Sequence, residues 1–374
     1  MRKVLFFAGK ITHRILLVSI PAILLTLLLL ELFSVYVLRA SDVPDVMYDR
    51  FLGNLYVPNQ NGRYIKGKKG EINAFYRINN IGWNSPHDYT TEKKQNIFRI
   101  AVIGDSYVEA FQVDYDKSFP YLAEKALEGV SLQGKMPEVY TFGHSGANLA
   151  HYARMLEHVA FTYSPNLVII SIVGNDFEES LLEKSRRDNW SVTYKNGHFL
   201  DIPPTPQENL YFKRLVRKSA IGRYLVTNLD LVNTSPIVNK VFYAQSRNVL
   251  GVSYPDNTDI SIPRISLIDD MFSKYLALKN QYGFDLLILI DAERENTYSN
   301  VQDKISQEED WFELTRNTAD KLGIPFVELS NVFYSNRVVA EHRFDWSIDE
   351  HWNEYAHQLI SNEVGTWIKT HYSF

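Results

Sequence analysis

The sequence predicts an α/β fold: a doubly wound, five-stranded parallel sheet flanked by helices, carried behind an N-terminal transmembrane helix. Three observations point there. Short runs of Ile, Val and Leu recur from Phe98 onward, as in strands buried on both faces of a parallel sheet. Stretches with helical spacing of apolar residues alternate with those runs, the pattern of successive strand–helix units. One apolar stretch near the N-terminus, Ile15 to Leu38, is long enough to span a bilayer as a helix.

Arg2, Lys3, Lys10 and Arg14 precede that stretch; Arg39 and then Asp42, Asp45 and Asp49 follow it. By the positive-inside rule residues 1–14 are a cytoplasmic tail, 15–38 the anchor, and the remainder lies outside the cytoplasmic membrane. The rival is a cleaved signal peptide. The stretch is long for one, and no clear A-x-A site follows it, so an uncleaved anchor is expected. Glu31 interrupts the span. An intramembrane carboxylate can mark a partner site, but the expected position here is near the outer interface, reaching toward water or protonated.

Residues 39–96 read as a polar stalk that becomes an edge lead-in, with turns at Asn59–Gly62, Asn79-Asn80 and Gly82. The main domain spans 97–374. Its first strand, Ile100 to Ile103, ends at Gly104-Asp105-Ser106. A helix follows with Ser118 as N-cap, Phe119, Leu122, Ala123, Ala126 and Leu127 on its apolar stripe, and Gly129 as its stop. Val139–Phe142 is the second strand and runs into the turn Gly143-His144-Ser145-Gly146. The next helix, about Asn148 to Tyr163, buries Leu149, Tyr152, Leu156 and Ala160. Leu167–Val173 is the third strand, followed by Gly174-Asn175-Asp176.

The alternation then stops. Residues 177–264 show no strong strand periodicity, hold a basic stretch with Lys213, Arg214, Arg217, Lys218 and Arg223, and form a lid-like insertion. The basic stretch fits anionic lipid or an acidic glycan; the expected reading is the solvated face of a helix. The alternation resumes with a helix over Ile268–Tyr282, a strand over Asp285–Ile290, a helix over Glu308–Leu322 and a strand over Pro325–Leu329. A final helix begins near Asn353, with Ala356, Leu359, Ile360, Val364 and Trp367 facing inward.

Composition narrows the function. The 374 residues are 45% hydrophobic, ample for a sizeable core, and the net charge of −5 lacks the basic excess of a nucleic-acid binder. There are no cysteines, which excludes disulfides, thiolate metal sites and a cysteine nucleophile. Tyr and Phe number 23 and 21 and read as core residues.

In open parallel sheets ligands bind where strands end, and Ser106 lies at such an end. A serine needs a base, and the base an orienting group. His351 lies in a loop just before the last helix, on the same edge, with Asp349 two residues earlier. An oxyanion needs donors. Gly146 can offer a backbone N–H, and Asn175 a side-chain amide. Each residue alone reads as an ordinary turn or helix-entry position; together they occupy successive strand ends.

These short motifs, GDS after the first strand, Gly after the second, Gly-Asn-Asp after the third and Asp-x-His-Trp-Asn before the last helix, resemble the SGNH hydrolase superfamily of GDSL-type esterases. The resemblance runs from about Ile97 to Lys369, and the lead-in YRINNIGW resembles a segment of membrane-anchored bacterial members. It implies a flavodoxin-like three-layer fold and a serine esterase. Ser106 would be the nucleophile, with its own N–H, Gly146 and Asn175 forming the oxyanion hole. His351 would be the general base, oriented by Asp349. Tyr107 stands where the motif name has Leu. The acid lies two residues before the histidine rather than the usual three, and Asp345 is the alternative acid.

Other patterns fall short. Gly143-His144-Ser145-Gly146 is G-x-S-G, one residue short of a nucleophile elbow. His351, His357, Glu350 and Glu354 lack H-E-x-x-H spacing, and no G-x-G-x-x-G follows the first strand, so neither a metal nor a cofactor is expected. The expected partners are the bilayer and an acyl-ester substrate, a cell-envelope glycan or a lipid, with no nucleic acid. An O-acyltransferase using the same triad, or a non-catalytic envelope scaffold, remain as alternatives.

Overall fold

The structure is a computed structural model that describes residues 15–206, 215–236, 264–292, 307–340 and 343–373. The chain divides into two compact units. Among the described residues one comprises 15–43, 63–73 and 215–236, and the other comprises 44–62, 74–206 and the segments from 264 onward.

The larger unit is built on a five-stranded parallel sheet. In chain order its sheet strands and principal helices are β1 (Ile97–Gly104), α1 (Phe119–Ala126), β2 (Met136–Gly143), α2 (Leu149–Tyr163), β3 (Leu167–Ile172), α3 (Arg264–Tyr282), β4 (Asp285–Ile290), α4 (Gln307–Leu322), β5 (Phe326–Glu328) and α5 (Glu354–Tyr372). His351, expected in a loop, lies in the short strand Asp349–Trp352, which pairs antiparallel with Asp345–Trp346. The spatial order is β5-β4-β3-β1-β2, and every pairing is parallel. Successive residues of a strand point to opposite faces. Ile100 and Val102 therefore pack with α1 and α5 residues such as Phe119, Ala356 and Ile360. Ala101 and Ile103 pack with α2, α3 and α4 residues such as Leu156, Phe272 and Phe312. Helices cover both faces, so continuous apolar runs are required of the strands. The doubly wound, three-layer expectation is the observed fold.

Polar caps set where two helices begin. The Asn148 side chain accepts from His151 N at 3.1 Å, and the Asn353 side chain accepts from Ala356 N at 3.1 Å. Each satisfies an amide that the first helical turn leaves without a partner.

The lead-in adds no strand to this sheet. Val46–Asp49 pairs with Gly53–Tyr56, and Gln60–Lys66 with Ile72–Ile78, as separate two-stranded ribbons. The insertion also holds a hairpin that the sequence reading leaves out: Ser191–Lys195 pairs antiparallel with His198–Ile202. Its two-residue connection is Asn196-Gly197, with φ of 55° and 84°. Those are the two positive φ values of a type I′ turn, and Asn-Gly is its favoured pair.

The smaller unit contains the apolar helix Ile20–Tyr36, entered through a π-helical turn at Ile15–Ser19. Leu17–Tyr36 has a mean hydropathy of 2.3 and is long and apolar enough to cross a membrane, a property that signal sequences share. The Glu31 side chain is partly exposed and hydrogen-bonded within this unit. Its carboxylate accepts from Ser219 Oγ at 3.0 Å, Ile221 N at 3.3 Å and Ala220 N. Arg223, expected on a solvated face, instead donates to Ser41 O at 2.8 Å and Arg217 O at 3.0 Å. Arg2, Lys3, Lys10 and Arg14, and Lys213 and Arg214 of the basic stretch, lie outside the described residues, as do residues 207–214 and 237–263 of the insertion.

Candidate active site

Two connections leave the middle of the sheet in opposite directions. The chain passes from β1 outward to β2, and from β3 outward to β4. The carboxyl ends of β1 and β3 therefore flank the crevice at the topological switch point, where open α/β sheets bind ligands. Ser106 and Asn175 leave from those two ends, and Gly146 follows β2, whose Gly143 pairs with Gly104.

Ser106 opens a single helical turn, Ser106–Glu109. Asp105 caps it, its Oδ1 accepting from Tyr107 N at 2.9 Å. Ala110, left-handed at φ 56°, ends it. This turn lies against the end of β2 so closely that a Cβ on Gly143 would fall 2.0 Å from Glu109 N. Asp105 is buried, and burial pushes its carboxyl up to about 6. Its Oδ2 lies 3.4 Å from Ser106 Oγ.

His351 reaches Ser106 from the far end of the chain. Its Nε2 lies 2.6 Å from Ser106 Oγ. Its Nδ1 bonds Asp349 Oδ1, which also accepts the His351 backbone N–H at 2.9 Å. One buried carboxylate oxygen thus fixes both the ring and the backbone of the histidine. Asp345 is occupied elsewhere: it forms a bidentate pair with Arg343 at 2.9 and 3.0 Å. Serine, imidazole and carboxylate stand in one linear hydrogen-bonded series.

Tyr107 holds this arrangement, a part that the sequence reading passed over. Its ring stacks on His351 at 4.5 Å between centroids, and its hydroxyl donates to Glu350 O at 3.0 Å. Its edge meets Trp352, whose Nε1 donates to Asp291 Oδ1 at 3.1 Å. The available signal was the departure itself, a tyrosine beside the nucleophile where the motif name has leucine.

Gly146 is the third residue of a turn closed by Ala147 N to His144 O at 2.8 Å. Among the described residues, the backbone N–H groups of Gly146 and Ser106 donate to no protein acceptor. Asn175 is exposed just beyond β3, and its amide lies against the Glu179 carboxyl. The loop carrying it is anchored by Asp176, which accepts from Val173 N at 2.8 Å and Tyr152 Oη at 2.9 Å. Burial raises the Asp176 carboxyl well above its ordinary range, and the nearby Asp105 carboxylate adds to the rise.

Two histidines serve the core instead. His357 Nδ1 accepts from Phe119 N at 3.1 Å, and burial holds its pKa down to about 3. His144 is buried with its Nε2 3.0 Å from Asn189 Oδ1, and burial lowers it to about 4. Among the described residues no group of three or more His, Asp or Glu side chains is placed to hold a metal ion.

No family model matches the sequence, and no curated protein matches it. Solved structures do resemble it. A member of the lipolytic G-D-S-L family from Veillonella parvula is 9% identical over 72% of this chain and 96% of its own, with a TM-score of 0.40. An acetyl xylan esterase is 11% identical over 72% and 98%, with a TM-score of 0.41. A catalytic mutant of Axe2, an acetylxylan esterase from Geobacillus stearothermophilus, is 12% identical over 75% and 96%, with a TM-score of 0.40.

Proposed function

We propose that this chain is a membrane-anchored serine esterase of the SGNH type that cleaves an O-acyl ester. One observation carries the reading: His351 Nε2 lies 2.6 Å from Ser106 Oγ while its other ring nitrogen is held by Asp349. That separation lies within the reach required for proton transfer.

In the first half-reaction His351 Nε2 takes the Ser106 Oγ proton as Oγ bonds to the ester carbonyl carbon. The carbonyl oxygen becomes an oxyanion, met by the N–H groups of Ser106 and Gly146 and by the Asn175 amide. Collapse breaks the bond to the alcohol oxygen, which leaves with the proton from His351. In the second half-reaction His351 deprotonates water, hydroxide adds to the acyl carbon, and the carboxylic acid departs as Oγ recovers its proton. Asp349 stabilises the imidazolium at each stage without itself taking a proton.

The anchor is the apolar helix Leu17–Tyr36, with the N-terminus cytoplasmic and the catalytic unit outside. That location favours an O-acyl group on a cell-envelope glycan or a lipid.

The test is Ser106→Ala in the full-length chain. Turnover of an aryl acetate should vanish while circular dichroism and the melting temperature stay at their parental values. Unchanged turnover would refute the assignment.

A further inference from the structure

The Gly146 turn has the geometry of a type II turn. His144 O accepts from Ala147 N at 2.8 Å, and Gly146, in the third position, has φ of +74°. The central peptide, Ser145–Gly146, is planar and trans, so its carbonyl and its N–H point in opposite directions. Type I and type II turns differ by a flip of this peptide, and glycine in the third position permits both. The local sequence therefore leaves the direction of the Gly146 N–H open. Whatever holds Ser145 O decides it.

Arg186, from the insertion, holds it. Its Nη1 donates to Ser145 O at 3.2 Å. The guanidinium is itself fixed by the buried Asp188, through Nε at 3.3 Å and Nη2 at 3.1 Å. Asp188 also accepts from Asn54 Nδ2 at 2.7 Å, so the base of the clamp is tied to a second segment. A Cβ on Gly146 would stand 2.6 Å from Arg186 Cδ and 2.9 Å from Nη1. Glycine thus suits the positive φ and lets the arginine approach this closely; a Cβ there would force the Arg186 side chain to shift. Asn189 completes the clamp by donating from Nδ2 to Gly146 O, with its own Oδ1 facing His144 Nε2.

The geometry points to Arg186 as a positioning residue that keeps the Gly146 N–H on the face away from the guanidinium, available to an oxyanion. The assignment rests on the esterase reading above. Loss of the clamp lets the peptide flip, which removes an oxyanion donor for part of the time without touching the ground-state substrate.

The experiment compares Arg186→Gln, Arg186→Lys and Ser106→Ala with the parent, all as full-length protein turning over an aryl acetate. Arg186→Gln should lower kcat on the order of tenfold, a fraction of what deleting a donor outright costs, with KM within about twofold. Arg186→Lys keeps the charge but not the planar fork, so its kcat should fall between the two. A parental kcat in Arg186→Gln would overturn the clamp, and so would a raised KM at parental kcat, which marks a substrate-binding side chain. If circular dichroism finds Arg186→Gln unfolded, Arg186→Lys decides by the same split of kcat against KM. Full activity in Ser106→Ala would instead remove the esterase reading itself, a result distinct from failure of the clamp.

Discussion

His351 Nε2 and Ser106 Oγ lie 2.6 Å apart although 245 positions separate them in the chain. The packing of α1 on α5 brings them together. α1 follows Ser106 and α5 follows His351. Phe119 N at the start of α1 donates to His357 Nδ1 in α5 at 3.1 Å, and Lys117 Nζ meets Glu354 at 2.8 Å. The buried His357 and the exposed ion pair hold the starts of α1 and α5 in register.

The identity of the acid in the proposed triad is directly testable. Asp349→Asn should lower kcat by about 10⁴-fold, the loss expected when the imidazole loses its orienting carboxylate. Asp345→Asn should cost far less activity, because its carboxylate bonds Arg343 and not the histidine. Steady-state kcat for the two variants settles the matter, and the opposite order would move the role to Asp345.

Tyr107 offers a graded probe of how the histidine is held. Tyr107→Phe keeps the ring stack on His351 and loses only the bond to Glu350 O, so kcat should stay within a few-fold. Tyr107→Ala removes both supports, and kcat should fall on the order of a hundredfold, as displacements of about 1 Å in a reacting group do. Equal kcat values for the two variants would show that the stack does not position His351.

Asn175→Ala tests the proposed side-chain donor. Removing one oxyanion donor costs about 10²- to 10³-fold in kcat, and KM should barely move. Asn175→Asp should be at least as damaging, because it places a carboxylate where negative charge develops. Parental activity in both variants would exclude Asn175 from the hole.

Much of this was legible in the sequence, for physical reasons. A strand buried on both faces must be apolar throughout, so IAVI and LVIISI announced β1 and β3, and the residues just past them announced the site edge. Ser106 and Asp349 each open a short element, and His351 lies within the strand Asp349–Trp352 just before α5, where polar residues leave a mark against their apolar surroundings. Other features left weaker marks. The Ser191–Ile202 hairpin carried its signal in Asn196-Gly197 rather than in strand alternation. Arg186 and Asn189 read locally as polar loop residues. Their partners, Ser145 and Gly146, lie more than 40 positions earlier, and no periodicity encodes a contact at that range. Tyr107 was visible only as a departure from a motif.

The pH dependence of stability provides the remaining test, through Glu109. This carboxyl closes the helical turn of Ser106, is 4% exposed, and is pushed up to about 8 by burial, against the partial relief of bonds from Tyr56 and Ser145 N. The unfolded chain ionises it near 4.5. Between those values the folded state holds a proton that the unfolded state has released. The stability that this group contributes is therefore fully present below about pH 4.5 and is lost as pH rises toward 8, at a slope on the order of 1 kcal/mol per pH unit. Asp105, raised to about 6 by burial, adds a slope of the same sign at the acid end of that window. Glu109→Gln keeps the shape and removes the titration. Its urea midpoint should exceed that of the parent at pH 8 and approach it at pH 5, so the difference between the two proteins should grow with pH. A parental slope in Glu109→Gln would mean that Glu109 is ionised in the folded protein, and that the wall behind Ser106 is better solvated than its burial implies.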